Sequence, residues 1–145
     1  MSSTPANLEK RLYTATATAT GGRDGRAKSD DGILDLALVP PKSLGGGGAT
    51  GTNPEQLFAA GYAACFGSAI AAVARMQKVS TGPISVTTKV TLGSIGPGYG
   101  LAVELEASLP DLPRDQAEAL VAAAHQVCPY SNATRGNIVV DVKLA

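Results

Sequence analysis

The chain has 145 residues, 44% of them hydrophobic and 17% charged, and its twelve basic residues balance twelve acidic ones. That length predicts one domain over 1–145 with a real core that a partner subunit could help complete, and the composition excludes disordered and fibrous classes. No basic block and no aromatic stacking run is present, which argues against nucleic acid as a partner.

With two phenylalanines, four tyrosines and no tryptophan, the core must be built largely from Ala, Val, Leu and Ile. LYTATATAT over 12–20 alternates strictly and is rich in β-branched threonine, so it reads as a strand. GGRDG follows as a turn, 26–29 as a short return strand, and ILDLALV over 33–39 as a third strand. PPKSLGGGGATGT is a connector whose glycines lack a phosphate-binding spacing. Asn53, Pro54 and Gln56 then announce a helix, with Asn53 as cap, running to about Gln77. Two strands come next. The first turns Ile84, Val86, Thr88, Val90 and Leu92 to one face. The second turns Leu101, Val103, Leu105 and Ala107 inward, with Glu104 and Glu106 opposite. A second helix starts near 113–115 and carries Leu120, Ala124, Val127 and Cys128 at helical spacing, until Pro129 interrupts it. SNATRG allows one short turn with Ser131 as a cap, and IVVDVKL is the last strand. The order predicts an α+β fold with mainly antiparallel pairing.

The run 57–74 is free of charge, but its alanine, glycine and serine content makes a buried helix a better reading than a membrane span. The first residues lack the apolar stretch of an export signal, which points to a reducing cytoplasm. There, a cysteine on an apolar helix is either a small hydrophobe or a reagent. Cys65 stands among Gly61, Ser68, Ala69 and Ala72, small enough to leave space over the sulfur. It is about three turns inside its helix, beyond the reach of the N-terminal dipole, so a thiolate there needs a cation. Arg23, in its glycine-rich turn, is the first candidate, with Arg26, Arg75 and Arg135 as competitors. On one unbroken helix Glu55 would lie about 15 Å from Cys65. A glutamate serving this cysteine must come from a second copy of the chain or from a broken helix. Cys128, at a helix C-terminus, suits a resolving thiol that condenses with a sulfenic acid. A Cys65/His125 hydrolase pair, a metal site of His125 with both thiols, and a noncatalytic homodimeric binding module remain as alternatives.

TNPEQLFAAGYAACF over 52–66 and VCPYSNATRGN over 127–137 resemble the organic hydroperoxide resistance proteins, the Ohr branch of the OsmC/Ohr family. The resemblance covers almost the whole chain. It implies a thiol-dependent peroxidase that reduces organic hydroperoxides to alcohols, with Cys65 peroxidatic and Cys128 resolving. It implies that Arg23 and Glu55 form a polar network with the Cys65 sulfur. It also implies an intertwined α+β homodimer, with antiparallel sheets packed around a long central helix and active sites at the subunit interface. Dihydrolipoyl groups on lipoylated proteins would be the dithiol reductant. No cofactor, metal, nucleic acid or membrane enters this reading.

Overall fold

Alternating threonine and alanine, with glycines at the corners, gives the N-terminal third a small meander of strands. The computed structural model describes residues 5–145, and these divide into two units, 5–54 and 55–145. In the first unit β1 (Ala17–Thr20), β2 (Gly25–Ser29) and β3 (Asp35–Leu38) pair antiparallel in that order. The first strand begins at Ala17 rather than at residue 12, and Leu12 and Tyr13 ahead of it are exposed. Gly21 and Gly22 turn the corner with φ of 82° and 61°, which glycine adopts without steric cost. The Asp24 N–H closes the turn on the Gly21 carbonyl at 3.1 Å. Arg23 is therefore presented on the β1–β2 connection, while Arg26 on β2 is paired with Asp35 on β3 at 2.6 Å. Among the described residues of this unit, Leu38 is the one buried hydrophobic.

The long helix α1 (Pro54–Met76) leads the second unit. Proline fits its first position, where no N–H is required. Its end is a left-handed stop: Lys78 has φ 58° and the Val79 N–H reaches back to the Ala74 carbonyl at 2.9 Å. Tyr62, Phe66, Ala69, Ile70 and Val73 recur at three- and four-residue spacing and are buried. The hairpin of β4 (Ser85–Ile95) and β5 (Gly98–Ser108) alternates as its sequence requires, with Val103, Leu105 and Ala107 inward and Glu104 and Glu106 outward. The chain then crosses through α2 (Arg114–Val127) and α3 (Pro129–Thr134) to β6 (Val140–Leu144).

The pairing of β6 with β5 is parallel, the one departure from antiparallel pairing among the named strands. A parallel neighbour needs a crossover of a dozen residues or more, and α2 with α3 supplies it. Ala117, Leu120, Val121 and Ala124 of α2 meet the buried faces of α1 and β5 in one core. Each large side chain fully buried there contributes about 1.5–3 kcal/mol. Val127, expected on the inward face of α2, is half exposed because the helix ends there. By length and composition α1 would span a membrane, but its apolar face is packed into this core.

Candidate active site

Proline cannot continue the hydrogen-bond ladder of a helix, and Pro129 stops α2. Cys128 stands at the joint with φ −64° and ψ 124°, extended rather than helical, closing α2 and opening α3 at once. Its N–H bonds to the Ala124 carbonyl and its own carbonyl receives the Asn132 N–H, both at 2.9 Å. The expected position at a helix C-terminus is found; the second helix beginning on the same residue is new. Ser131, expected to cap the following turn, lies instead inside α3 and is fully buried.

This elbow sets Cys128 against α1. Its thiol points at Cys65 with the sulfurs 3.7 Å apart, across 63 residues of sequence. A disulfide bond is about 2.05 Å long, so the two free thiols touch without being bonded. Cys65 is partly exposed and Cys128 buried. Burial pushes the Cys65 thiol above its ordinary value; a backbone N–H from Tyr130 pulls against that, and the Cys128 sulfur adds to the rise. A nearby cation would favour a thiolate at Cys65.

The competing arginines are engaged or distant. Arg26 is in its ion pair with Asp35. Arg75 is exposed on the last turn of α1, ten residues or about 15 Å along the helix from Cys65. Arg135 donates to Asn132 Oδ1 at 2.6 Å and to the His125 carbonyl. Arg23 lies on the turn of the first unit. Glu55 occupies the first turn of α1, which runs unbroken, so about 15 Å of helix separates it from Cys65 of its own chain. The broken-helix route from Glu55 to Cys65 is thereby excluded.

The His125 ring is engaged by a serine hydroxyl. Its Nδ1 is 2.7 Å from Ser131 Oγ, which is in turn 2.8 Å from the Tyr62 hydroxyl. Burial, then the charge of Arg135, lowers the His125 pKa below its ordinary value. No group of three or more His, Cys, Asp or Glu among the described residues is placed to hold a metal ion. The Tyr62–Ser131–His125 chain was not legible in the sequence, because its longest link spans 69 residues. Beside the elbow, a cleft of about 430 Å³ is lined by Phe58, Leu101, Pro129, Tyr130, Ala133 and Ile138, among others. The Tyr130 ring stands 5.9 Å from Phe58 and 5.5 Å from Tyr62 between centroids, so aromatic packing fixes its wall.

A thiol pair in contact, held between a long helix and a proline elbow, thus sits in an α+β fold. The OsmC-like protein family model matches residues 45–143. An organic hydroperoxide resistance protein of Xanthomonas axonopodis pv. citri is 56% identical over 141 residues, 97% of this chain and 99% of that protein. The solved structure of an organic hydroperoxide resistance protein OsmC from Legionella pneumophila has a TM-score of 0.89 at 52% identity, covering 94% of this chain and 99% of that one. One from Vibrio cholerae, with captopril bound in one of its active sites, has a TM-score of 0.91 at 50% identity, covering 95% of each chain. The chain belongs to the OsmC/Ohr family.

Proposed function

We propose that this protein is a cysteine-based peroxidase that reduces organic hydroperoxides to alcohols. The observation that carries the reading is the 3.7 Å contact between Cys65 and Cys128. The Cys65 thiolate attacks the terminal peroxide oxygen, the O–O bond breaks, and the alkoxide leaves and takes a proton to become the alcohol. Cys65 is left as a sulfenic acid. The Cys128 sulfur then displaces its oxygen as water and forms the disulfide. A dithiol, of the kind carried by lipoylated proteins, returns both cysteines to thiols and is itself oxidised. The apolar cleft next to Pro129 and Tyr130 supports a preference for alkyl over hydrogen peroxide, since an alkyl chain has apolar surface to bury there.

The cation in this reading is Arg23, held by Glu55 through a charge-assisted hydrogen bond. Because α1 is continuous, Glu55 acts on the Cys65 of a second copy. The functional unit is then a homodimer, each chain contributing 1–145 as a single OsmC/Ohr-like domain. Two features support a second copy. The first unit leaves Leu12, Tyr13, Ile33, Leu34 and Leu36 exposed, and α1 keeps Ala60, Ala64 and Ser68 on an exposed line at four-residue spacing. Free thiols that must cycle fit a reducing cytoplasm.

The test is a thiol count on reduced protein before and after one equivalent of tert-butyl hydroperoxide, with hydrogen peroxide in parallel. Two thiols per chain should vanish, much faster with the organic peroxide. No loss with either oxidant returns both cysteines to structure and leaves a noncatalytic homodimeric binding module.

A further inference from the structure

His125 and Ser131 stand three residues before and three residues after Cys128. They bond to each other at 2.7 Å across the joint that carries it. Ser131 is fully buried, and its hydroxyl is tied in turn to Tyr62 of α1 at 2.8 Å. Tyr62 lies three residues before Cys65 on the helix that holds the other thiol. A second strap runs the same way, from Arg135 beyond α3 to the His125 carbonyl at the end of α2. The elbow is thus pinned to itself and to α1, with both sulfurs inside the pinned region.

From this geometry we propose that Tyr62, Ser131 and His125 are positioning residues for the resolving step, holding the α2–α3 elbow so that the Cys128 thiol stays within reach of Cys65. The inference rests on the peroxidase reading above. In the step concerned, the Cys128 sulfur attacks the Cys65 sulfur and the S–O bond of the sulfenic acid breaks. The departing hydroxide takes the Cys128 proton and leaves as water, so no further oxidant or reductant enters. The sulfurs must close from 3.7 Å to about 2.05 Å, and that short approach is fast only if the elbow does not wander. None of the three side chains need touch the peroxide. Their removal should leave the sulfenic acid waiting rather than prevent it from forming.

The hydroxyl chain is satisfied from end to end. Thr134 Oγ1 donates to the Tyr130 carbonyl at 3.0 Å and can also accept from Tyr62 at 3.4 Å. Removing Ser131 Oγ therefore leaves Tyr62 a weaker partner and takes from His125 Nδ1 its hydroxyl partner. The buried Tyr62 hydroxyl then bears the cost of a poorer partner, and the segment bearing Cys128 loses its shorter tie to α1.

The test is single-turnover oxidation with tert-butyl hydroperoxide, quenched at intervals with a sulfenic-acid trap and read by mass. In Ser131→Ala and His125→Ala, disulfide formation should slow about tenfold relative to sulfenic acid formation, equivalent to about 1.4 kcal/mol. Trapped sulfenic acid and overoxidised Cys65 should rise in proportion. His125→Asn, whose amide can occupy the Nδ1 position, should restore most of the disulfide rate, which a merely structural role for the ring would not produce. Wild-type partition in both alanine variants overturns the proposal while leaving the peroxidase reading intact. Failure of His125→Asn to improve on His125→Ala also overturns it. No peroxide-driven sulfenic acid or disulfide in the unaltered chain overturns the peroxidase reading and this inference with it.

Discussion

The two units use their hydrophobic residues in opposite ways. In 55–145, Tyr62, Phe66, Ile70, Val103, Leu105 and Leu120 are almost fully buried in one cluster. In 5–54, three strands carry a single buried hydrophobic, and Ile33 and Tyr13 are each 86% exposed. The second unit contains the buried cluster and also both thiols. The first has regular hydrogen bonding with little to bury, and a three-stranded sheet needs a hydrophobic face covered to be stable in water. The contrast places both cysteines in the unit with the buried core and leaves the exposed hydrophobics of the meander uncovered within the described residues.

The largest expected effect lies wholly in the second unit. Cys65→Ser should abolish peroxide consumption, while Cys128→Ser should keep one round of sulfenic acid formation and lose recycling, with Cys65 then overoxidising. Peroxide consumption assays and intact-mass measurement separate the two. Full turnover in Cys65→Ser would remove the division of labour altogether.

Next in size is stability. Phe66→Ala empties the centre of the core cluster and should cost about 3–5 kcal/mol in urea unfolding. Leu36→Ala, at an exposed site, should cost no more than about 0.5 kcal/mol if the first unit stands uncovered. If a second copy covers it, the loss should be larger and should grow on dilution, since stability is then linked to protomer concentration. Unfolding of both variants across a hundredfold range of protein concentration decides between them.

Arg23→Ala carries the contrast into catalysis. Both cysteines lie in the second unit, yet removal of this first-unit cation should slow sulfenic acid formation on the order of 10²-fold, the scale for loss of one well-placed electrostatic donor. A fast reaction in Arg23→Ala would move the role to Arg26, Arg75 or Arg135.

What could be read from the sequence was what repeats locally. Pro54 and the spacing of Tyr62, Phe66 and Ile70 define α1, and strict alternation defines β4 and β5, because each signal is written within a few residues. Cys65 and Cys128 were legible as a pair through the motifs around them. The parallel pairing of β6 was not, since strand direction is set by the α2–α3 crossover and not by IVVDVKL itself. The 12–16 stretch alternates like a strand, but among the described residues its backbone pairing is a single bond, from the Asp30 N–H to the Thr16 carbonyl, and the strand itself begins at Ala17. Ser131 was read as a cap because serine commonly is one; its tie to Tyr62 is a contact across 69 positions that no local pattern encodes.

The smallest effect concerns His125, the one titrating group among the described residues of the second unit whose shift bears on stability near neutrality. Burial first, and Arg135 second, lower its pKa from the ordinary value of about 6.5. A histidine depressed in the folded state binds fewer protons there than in the unfolded chain, so stability rises with pH across the interval between the two values. The contribution is fully present above about 6.5, declines as the pH falls through the lowered folded value, and is constant below it. Protonation also makes Nδ1 a donor only, so Ser131 Oγ must accept from it and can no longer donate its own proton to the ring. Urea midpoints at pH 7.5 and 5.5 should therefore fall more in the unaltered chain than in His125→Asn. Equal declines in both would place the acid sensitivity outside the elbow.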